Sequence, residues 1–300
     1  MERSFVTVDV FTDRRFGGNP LAVLLDAQGL GTEEMQSIAA EFNLAESTFV
    51  LPPKDARHTA AVRIFTPRAE LPFAGHPNVG TAFVLARLKT IFGKPVGEQL
   101  LFEEKCGIVR VDVLLENGAA TGARVAAPGR LTRASDVSAE VVAEACSLNT
   151  GDIATDRHPP CVASAGVPFL FAQLKTRAAL ACARPRAEIF SQSIKPDLAI
   201  GVLLYVSEKR DSADLHVRMF APLLGIVEDP ATGSANAALA GLLAGLRPER
   251  DLTLRLMIAQ GVDMGRPSLL EATAEKRDGE VDAMSIGGNC VPVMRGTLDP

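Results

Sequence analysis

One short pattern occurs twice in this 300-residue chain. Arg63-Ile-Phe-Thr-Pro67 returns 155 residues later as Arg218-Met-Phe-Ala-Pro222. Each copy leads into a run of small and apolar residues, Asn78 to Leu88 and Gly233 to Ala244. A second match, Gly18-Asn-Pro20 against Gly166-Val-Pro168, has an offset of 148 residues, and each copy opens an apolar run. Two offsets near half the chain length, in the same order, point to duplication of one unit. The two small-residue runs are apolar nearly all round, which in a globular protein means a helix buried on every side. The other recognisable helices are conventional. Thr32 can cap one in which Met35, Ile38, Ala39 and Phe42 share a face, with Glu33 and Glu34 in its first turn. A second amphipathic stretch runs from Ser138 to Cys146.

Alternation at period two dominates the rest: Ser4–Phe11, Ala60–Phe65, Ile108–Val113, Ala199–Val206, Leu215–Phe220 and Leu252–Ala259 read as strands. The expected fold class is therefore α+β. Two pseudo-symmetric halves each wrap a curled, largely antiparallel sheet or barrel around one apolar helix. Glu116-Asn117-Gly118 is a turn signal, which places the halves at residues 1–118 and 119–300, packed closely with a cleft between them. The last strand, around Cys290 to Arg295, pairs either with its own half or with the first. No stretch approaches the ~20 apolar residues of a membrane span, and Met1 to Phe11 alternates like a strand rather than a signal peptide, so a cytoplasmic protein is expected.

Net charge is −5, aromatic residues make up 5%, and no polybasic run occurs, which argues against a nucleic-acid partner. Five scattered cysteines without a CxxC pair suggest neither a disulfide framework nor a zinc cluster. His58, His158 and His216 read as ordinary strand or loop residues with no metal-ligand spacing, and no metal is expected.

Chemistry concentrates before the two buried helices. Phe73-Ala-Gly-His76-Pro-Asn-Val-Gly80-Thr81 and Val227-Glu-Asp229-Pro-Ala-Thr-Gly233-Ser234 each set an ionisable residue and a proline four positions before a Gly-Thr or Gly-Ser pair. This alignment equates His76 with Asp229. Helix N-termini leave N–H groups unpaired and attract anions, and glycine at 75, 80 and 233 lets a ligand approach the backbone. The ordinary alternative is a loop His-Pro and an Asp-Pro turn or cap. Glu46, flanked by Leu44, Ala45, Phe49 and Val50, is either an exposed loop residue or a carboxyl whose charged form is disfavoured, suited to exchanging a proton near neutral pH. No P-loop lysine and no Gly-x-Ser-x-Gly elbow is present.

Seven segments in order complete the picture: Asp9-Val-Phe-Thr, Phe16-Gly-Gly-Asn-Pro20-Leu-Ala-Val, Glu46 with its flanks, Arg63-Ile-Phe-Thr-Pro, Pro72-Phe-Ala-Gly-His-Pro-Asn-Val-Gly80, Glu228-Asp-Pro-Ala-Thr-Gly-Ser-Ala235 and Gln260-Gly-Val-Asp-Met-Gly-Arg-Pro-Ser268. Together they resemble the phenazine-biosynthesis isomerase (PhzF-like) family, which shares the diaminopimelate epimerase fold. The resemblance implies two barrel-like halves, a homodimer and no cofactor or metal. It implies that Glu46 moves a proton between carbons of a small carboxylate substrate with help from His76 and Asp229. Gly75, Gly233 and Ser234 hold that substrate, and Gly80 and Thr81 are carried as further binding positions. In the phenazine pathway the substrate is trans-2,3-dihydro-3-hydroxyanthranilate. Ala45 stands where phenazine-forming members have Ser, which removes a hydroxyl contact. The two-Cys arrangement of amino-acid epimerases is absent from both motifs. An epimerase of another small acid and a non-catalytic binding protein are the alternatives. Arg266 either meets a substrate carboxylate or pins a turn, and the turn is preferred.

Overall fold

The computed structural model describes residues 2–299. The chain divides into two compact units: residues up to Ala126 together with those from Gly287 onward, and Ala127–Ile286. It is an α+β protein, mostly sheet with few helices.

In the first unit the strands are β1 (Arg3–Val10), β2 (Asn19–Leu24), β3 (Glu46–Leu51), β4 (Ala60–Phe65), β5 (Glu70–Leu71), the small pair β6 (Thr90–Ile91) and β7 (Lys94–Pro95), β8 (Gln99–Glu104), β9 (Gly107–Glu116) and β10 (Ala119–Ala126). β1 pairs antiparallel with β2, β2 parallel with β3, β3 antiparallel with β4, β4 parallel with β8, and β8, β9 and β10 follow antiparallel. The chain's final strand then joins β10 back to β1, so the sheet closes into a barrel. Two helices serve the parallel connections. α1 (Thr32–Phe42) links β2 to β3 and packs Met35 and Ala39 with Leu24, Phe49 and Phe65. α2 (Gly75–Leu88) lies on the way from β4 to β8 and touches β1, β2, β3, β9 and β10. It is buried from Gly75 through Leu85, which is why its sequence carries no polar face.

The second unit repeats the plan. Its strands are β11 (Thr132–Asp136), β12 (Ile153–Ala154), β13 (Cys161–Ser164), β14 (Pro168–Leu174), β15 (Val202–Arg210), β16 (Ala213–Ala221), β17 (Ile226–Asp229), β18 (Leu252–Gln260), β19 (Ser268–Arg277) and β20 (Glu280–Leu298). From β13 the pairings run antiparallel, parallel, antiparallel, parallel, antiparallel, the same order as from β1. α3 (Ala139–Ala145), α4 (Arg177–Cys182) and α5 (Ala187–Ser193) cover β14 and β15 with Val142, Leu180, Ile189 and Phe190. α6 (Gly233–Gly245) is the counterpart of α2, buried from Ala235 through Ala244. Both glycines of the second sequence match have positive φ, +62° at Gly18, directly before β2, and +123° at Gly166, two residues before β14. At Gly18 a Cβ would lie 2.3 Å from the Val10 carbonyl oxygen, so the strand-entry turn admits only glycine.

Two expectations change and one open alternative is settled. Glu116-Asn117-Gly118 is the tip of the β9–β10 hairpin, both of whose strands belong to the first unit, so the division falls after Ala126 and not at residue 118. The last strand crosses back: β20 begins in the second unit and pairs from Cys290 with β1. Gly31, not Thr32, caps α1, because Glu34 reaches back to the Gly31 N–H at 2.7 Å while the Thr32 hydroxyl accepts from Arg63. No helix among the described residues is long and apolar enough to cross a membrane.

Candidate active site

Glu46 opens β3, opposite Leu21 of β2, after α1 ends on Asn43 in the left-handed conformation at φ 50°. His76 is the second residue of α2. These elements bring His76 Nε2 to 3.3 Å from Glu46 Oε2, with side-chain exposures of only 5% and 13%. Burial alone pushes His76 down to about 3, because an imidazolium loses its hydration there. The ring is therefore neutral at physiological pH, and the contact joins a carboxyl to a neutral imidazole rather than two ions. A carboxyl beside a neutral ring nitrogen can pass a proton in either direction.

The backbone around each central helix is held by the repeated motif. Arg63 grips Glu70 through two parallel bonds of 2.7 Å and lies over Phe65. Arg218 grips Glu228 at 2.8 and 2.7 Å and lies over Phe220. In each pair the Arg and the Phe two residues on share one face of a strand, and the Glu stands just before the loop into the helix. The Arg-x-Phe-x-Pro match is thus the sequence trace of a clamp that fixes the helix entrance.

Neither helix has a side chain capping its N-terminus: Ala74 and Thr232 are the extended N-cap residues, and Gly75 and Gly233 are the first helical positions. The uncapped first-turn N–H groups at Gly75, Gly233 and Ser234 suit a carboxylate. Thr232 is spent otherwise, donating its hydroxyl to Asp229 Oδ2 at 2.6 Å.

This geometry revises the equivalence of His76 and Asp229. Asn78 and Asn236 each donate to the N-cap carbonyl, that of Ala74 at 3.1 Å and of Thr232 at 2.9 Å. With these anchors superposed, Gly75 matches Gly233, His76 matches Ser234, and Asp229 lies in the strand before the helix, opposite Met219. Gly80 and Thr81 do not lie at a helix entrance either. Both are buried mid-helix: a Cβ on Gly80 would lie 2.6 Å from Leu21 Cδ2, and the Thr81 hydroxyl bonds to Thr48 at 2.8 Å. They are packing residues, because the helix extends a turn further toward its N-terminus than the Asn78 start expected from sequence.

Several residues escaped the sequence reading. Glu104, at the end of β8, is pushed up to about 8 by burial, against lowering hydrogen bonds from Asn78 and Cys106. Thr232 and Gln260 touch Asp229. Gln260 could be found only through the Gln-Gly-x-x-Met-Gly-Arg-Pro-Ser segment. In that segment the Arg266 backbone N–H donates to the Gly261 carbonyl at 3.0 Å, forming a turn. All five cysteines are free, and burial pushes Cys106 up to about 11 and Cys146 up to about 12, opposite to an activated thiol. Among the described residues no group of three or more His, Cys, Asp or Glu side chains is placed to hold a metal ion.

Residues 8–296 match the model of the phenazine biosynthesis-like protein family, PhzC/PhzF. An uncharacterized isomerase of Mesorhizobium japonicum is 38% identical over 305 residues, covering 99% of this chain and 98% of that one. Trans-2,3-dihydro-3-hydroxyanthranilate isomerase of Pseudomonas chlororaphis is 34% identical over 294 residues, with 98% of each covered. The crystal structure of the Bacillus anthracis phenazine biosynthesis protein of the PhzF family shares the fold at a TM-score of 0.88, with 23% identity and 100% of each chain covered. The chain belongs to the phenazine biosynthesis-like PhzC/PhzF family and is an isomerase.

Proposed function

We propose that the enzyme isomerises a small unsaturated carboxylate by moving one proton between carbons, with Glu46 as base and then as acid. The observation that carries this reading is the buried 3.3 Å contact between Glu46 and neutral His76. Glu46 takes a proton from a C–H bond activated by the conjugated system, and the pair of electrons moves into that system. The same carboxyl, now protonated, returns the proton at another carbon, so no cofactor or metal is invoked. His76 keeps the Glu46 carboxyl in place and shares its proton between the two steps. Asp229 assists, and the N–H groups at Gly75, Gly233 and Ser234 hold the substrate carboxylate. The active species is a homodimer.

The substrate class follows from the relative named trans-2,3-dihydro-3-hydroxyanthranilate isomerase, and Ala45, next to Glu46, is where substrate preference departs. The test is NMR of trans-2,3-dihydro-3-hydroxyanthranilate in D₂O with wild type and Glu46→Gln. Wild type transfers solvent deuterium to the receiving carbon, and the variant loses at least ~10²-fold in turnover. A folded Glu46→Gln enzyme with near-wild-type turnover refutes the role of Glu46. Turnover by neither protein refutes the substrate.

A further inference from the structure

The Gln260–Ser268 segment builds the floor beneath Asp229. Ser268 donates its hydroxyl to the Pro230 carbonyl at 2.8 Å. Gly261, at φ +72°, sits where a Cβ would be 2.4 Å from the Arg266 carbonyl oxygen and 2.7 Å from that of Pro230. Gln260, 1% exposed, is the centre. Its Oε1 accepts from the Thr232 backbone N–H at 3.1 Å and from Asn236 Nδ2 at 2.7 Å. Its Nε2 donates to the Asp229 carbonyl at 2.8 Å and to Thr232 Oγ1 at 3.0 Å. All four hydrogen-bonding positions of this amide are therefore occupied.

The direction of each bond is fixed by the next. The Thr232 carbonyl can only accept, so Asn236 must present Nδ2 to it at 2.9 Å. The same Nδ2 faces Gln260, which must then present Oε1. The amide cannot be turned over, since its NH₂ would meet two donors and its oxygen would meet a carbonyl. Gln260 Nε2 consequently donates to Thr232 Oγ1, and the threonine's single hydroxyl proton is left for Asp229 Oδ2, at 2.6 Å. The chain of donors runs one way, from the Asn236 amide through Gln260 and Thr232 to the carboxylate.

We infer that Thr232 and Gln260 are positioning residues that keep Asp229 in one rotamer and as a proton acceptor on Oδ2. Its contribution to turnover depends on this polarity. The inference rests on the role given above to Asp229. It is separate from that role because the direction of the bonds is observable without substrate.

Neutron diffraction from deuterium-exchanged crystals of the whole protein tests the direction. Deuterium on Thr232 Oγ1 pointing at Asp229 Oδ2, with the Gln260 amide deuterons on Thr232 Oγ1 and the Asp229 carbonyl, is expected. Deuterium on Asp229 Oδ2, or a reversed amide, overturns the inference. Kinetics in the D₂O assay test the consequence. Thr232→Ser keeps the donor and should stay within about threefold of wild type, whereas Thr232→Val and Gln260→Glu should lose about tenfold or more in kcat with KM little changed. Gln260→Glu has no amide to donate, so the Thr232 hydroxyl turns from Asp229 to it. The double variant should then lose no more than the worse single one. Asp229→Asn is the control. If it loses turnover while folded Thr232→Val does not, the relay is wrong and the role of Asp229 stands. If Asp229→Asn itself turns over normally, the role of Asp229 is wrong and the relay has no part in catalysis.

Discussion

The two clamps are copies of one design with different surroundings, so the same substitution should have different costs. Arg218 is 4% exposed, and Glu228 12%. Beyond its two bonds to Glu228, Arg218 Nη1 donates to the carbonyls of Leu180, Ala181 and Ala183 at 2.9, 3.1 and 2.8 Å. Arg218→Met leaves a largely buried carboxylate and three carbonyls without this donor. Breaking a buried pair by removing one partner costs about 3–5 kcal/mol, and each abandoned carbonyl adds on the order of 1 kcal/mol or less. Arg63 is 27% exposed, and its partner Glu70 also holds Lys105 at 2.7 Å. Arg63, helped by Lys105 and opposed by burial, keeps the Glu70 carboxyl below the usual carboxylate range, so one cation remains when the other is removed. Arg63→Met should therefore cost only about 1–2 kcal/mol. Urea titration followed by far-UV circular dichroism reads the gap. At a slope of about 3 kcal/mol per molar urea, Arg218→Met should unfold roughly 0.3–2 M earlier than Arg63→Met. Tyr205, the single tyrosine in a chain without tryptophan, gives the second unit its own fluorescence signal. Equal midpoints for the two variants, or an earlier one for Arg63→Met, would refute the reasoning.

Other expectations are simpler to check. His76, held down to about 3 by burial, binds its proton less readily folded than unfolded. Its contribution to stability is thus complete above about pH 6.5 and is lost as pH falls from there toward 3. Its ring should still show neutral imidazole ¹⁵N shifts at pH 5, and imidazolium shifts at that pH would contradict the geometry. Gly80→Ala should lower stability by about 1–3 kcal/mol through overpacking against Leu21, Val10 and Val8, with KM unchanged in the surviving enzyme. A raised KM at unchanged stability would restore Gly80 to the substrate.

The duplication was legible because its carriers are local. An Arg and a Phe two apart on a strand, and a helix without a polar face, announce themselves in one window of sequence. Register between the copies was not. Aligning His76-Pro with Asp229-Pro matched residue types, whereas the chain matches where Asn78 and Asn236 reach the N-cap carbonyl. Gly80 and Thr81 were misread for the same reason: the helix starts at Gly75, which puts them in its packed middle. Glu46 with His76 was legible as candidates but not as a contact, since thirty residues of chain separate them. Thr232 and Gln260 were invisible as partners, because only the pairing of β16 with β18 brings residue 260 beneath the loop.

The crossing of β20 has a consequence for how the protein is made. The first unit's barrel is closed by residues from Gly287 onward, which pair with β1. They emerge from the ribosome only after the intervening segment, Ala127–Ile286, has been synthesised. At about 5–20 residues per second that interval lasts roughly ten to thirty seconds, during which β1 and β10 are sheet edges awaiting a partner. The nascent chain must guard those edges against other strands, and the first unit, begun earliest, is among the last parts to be finished.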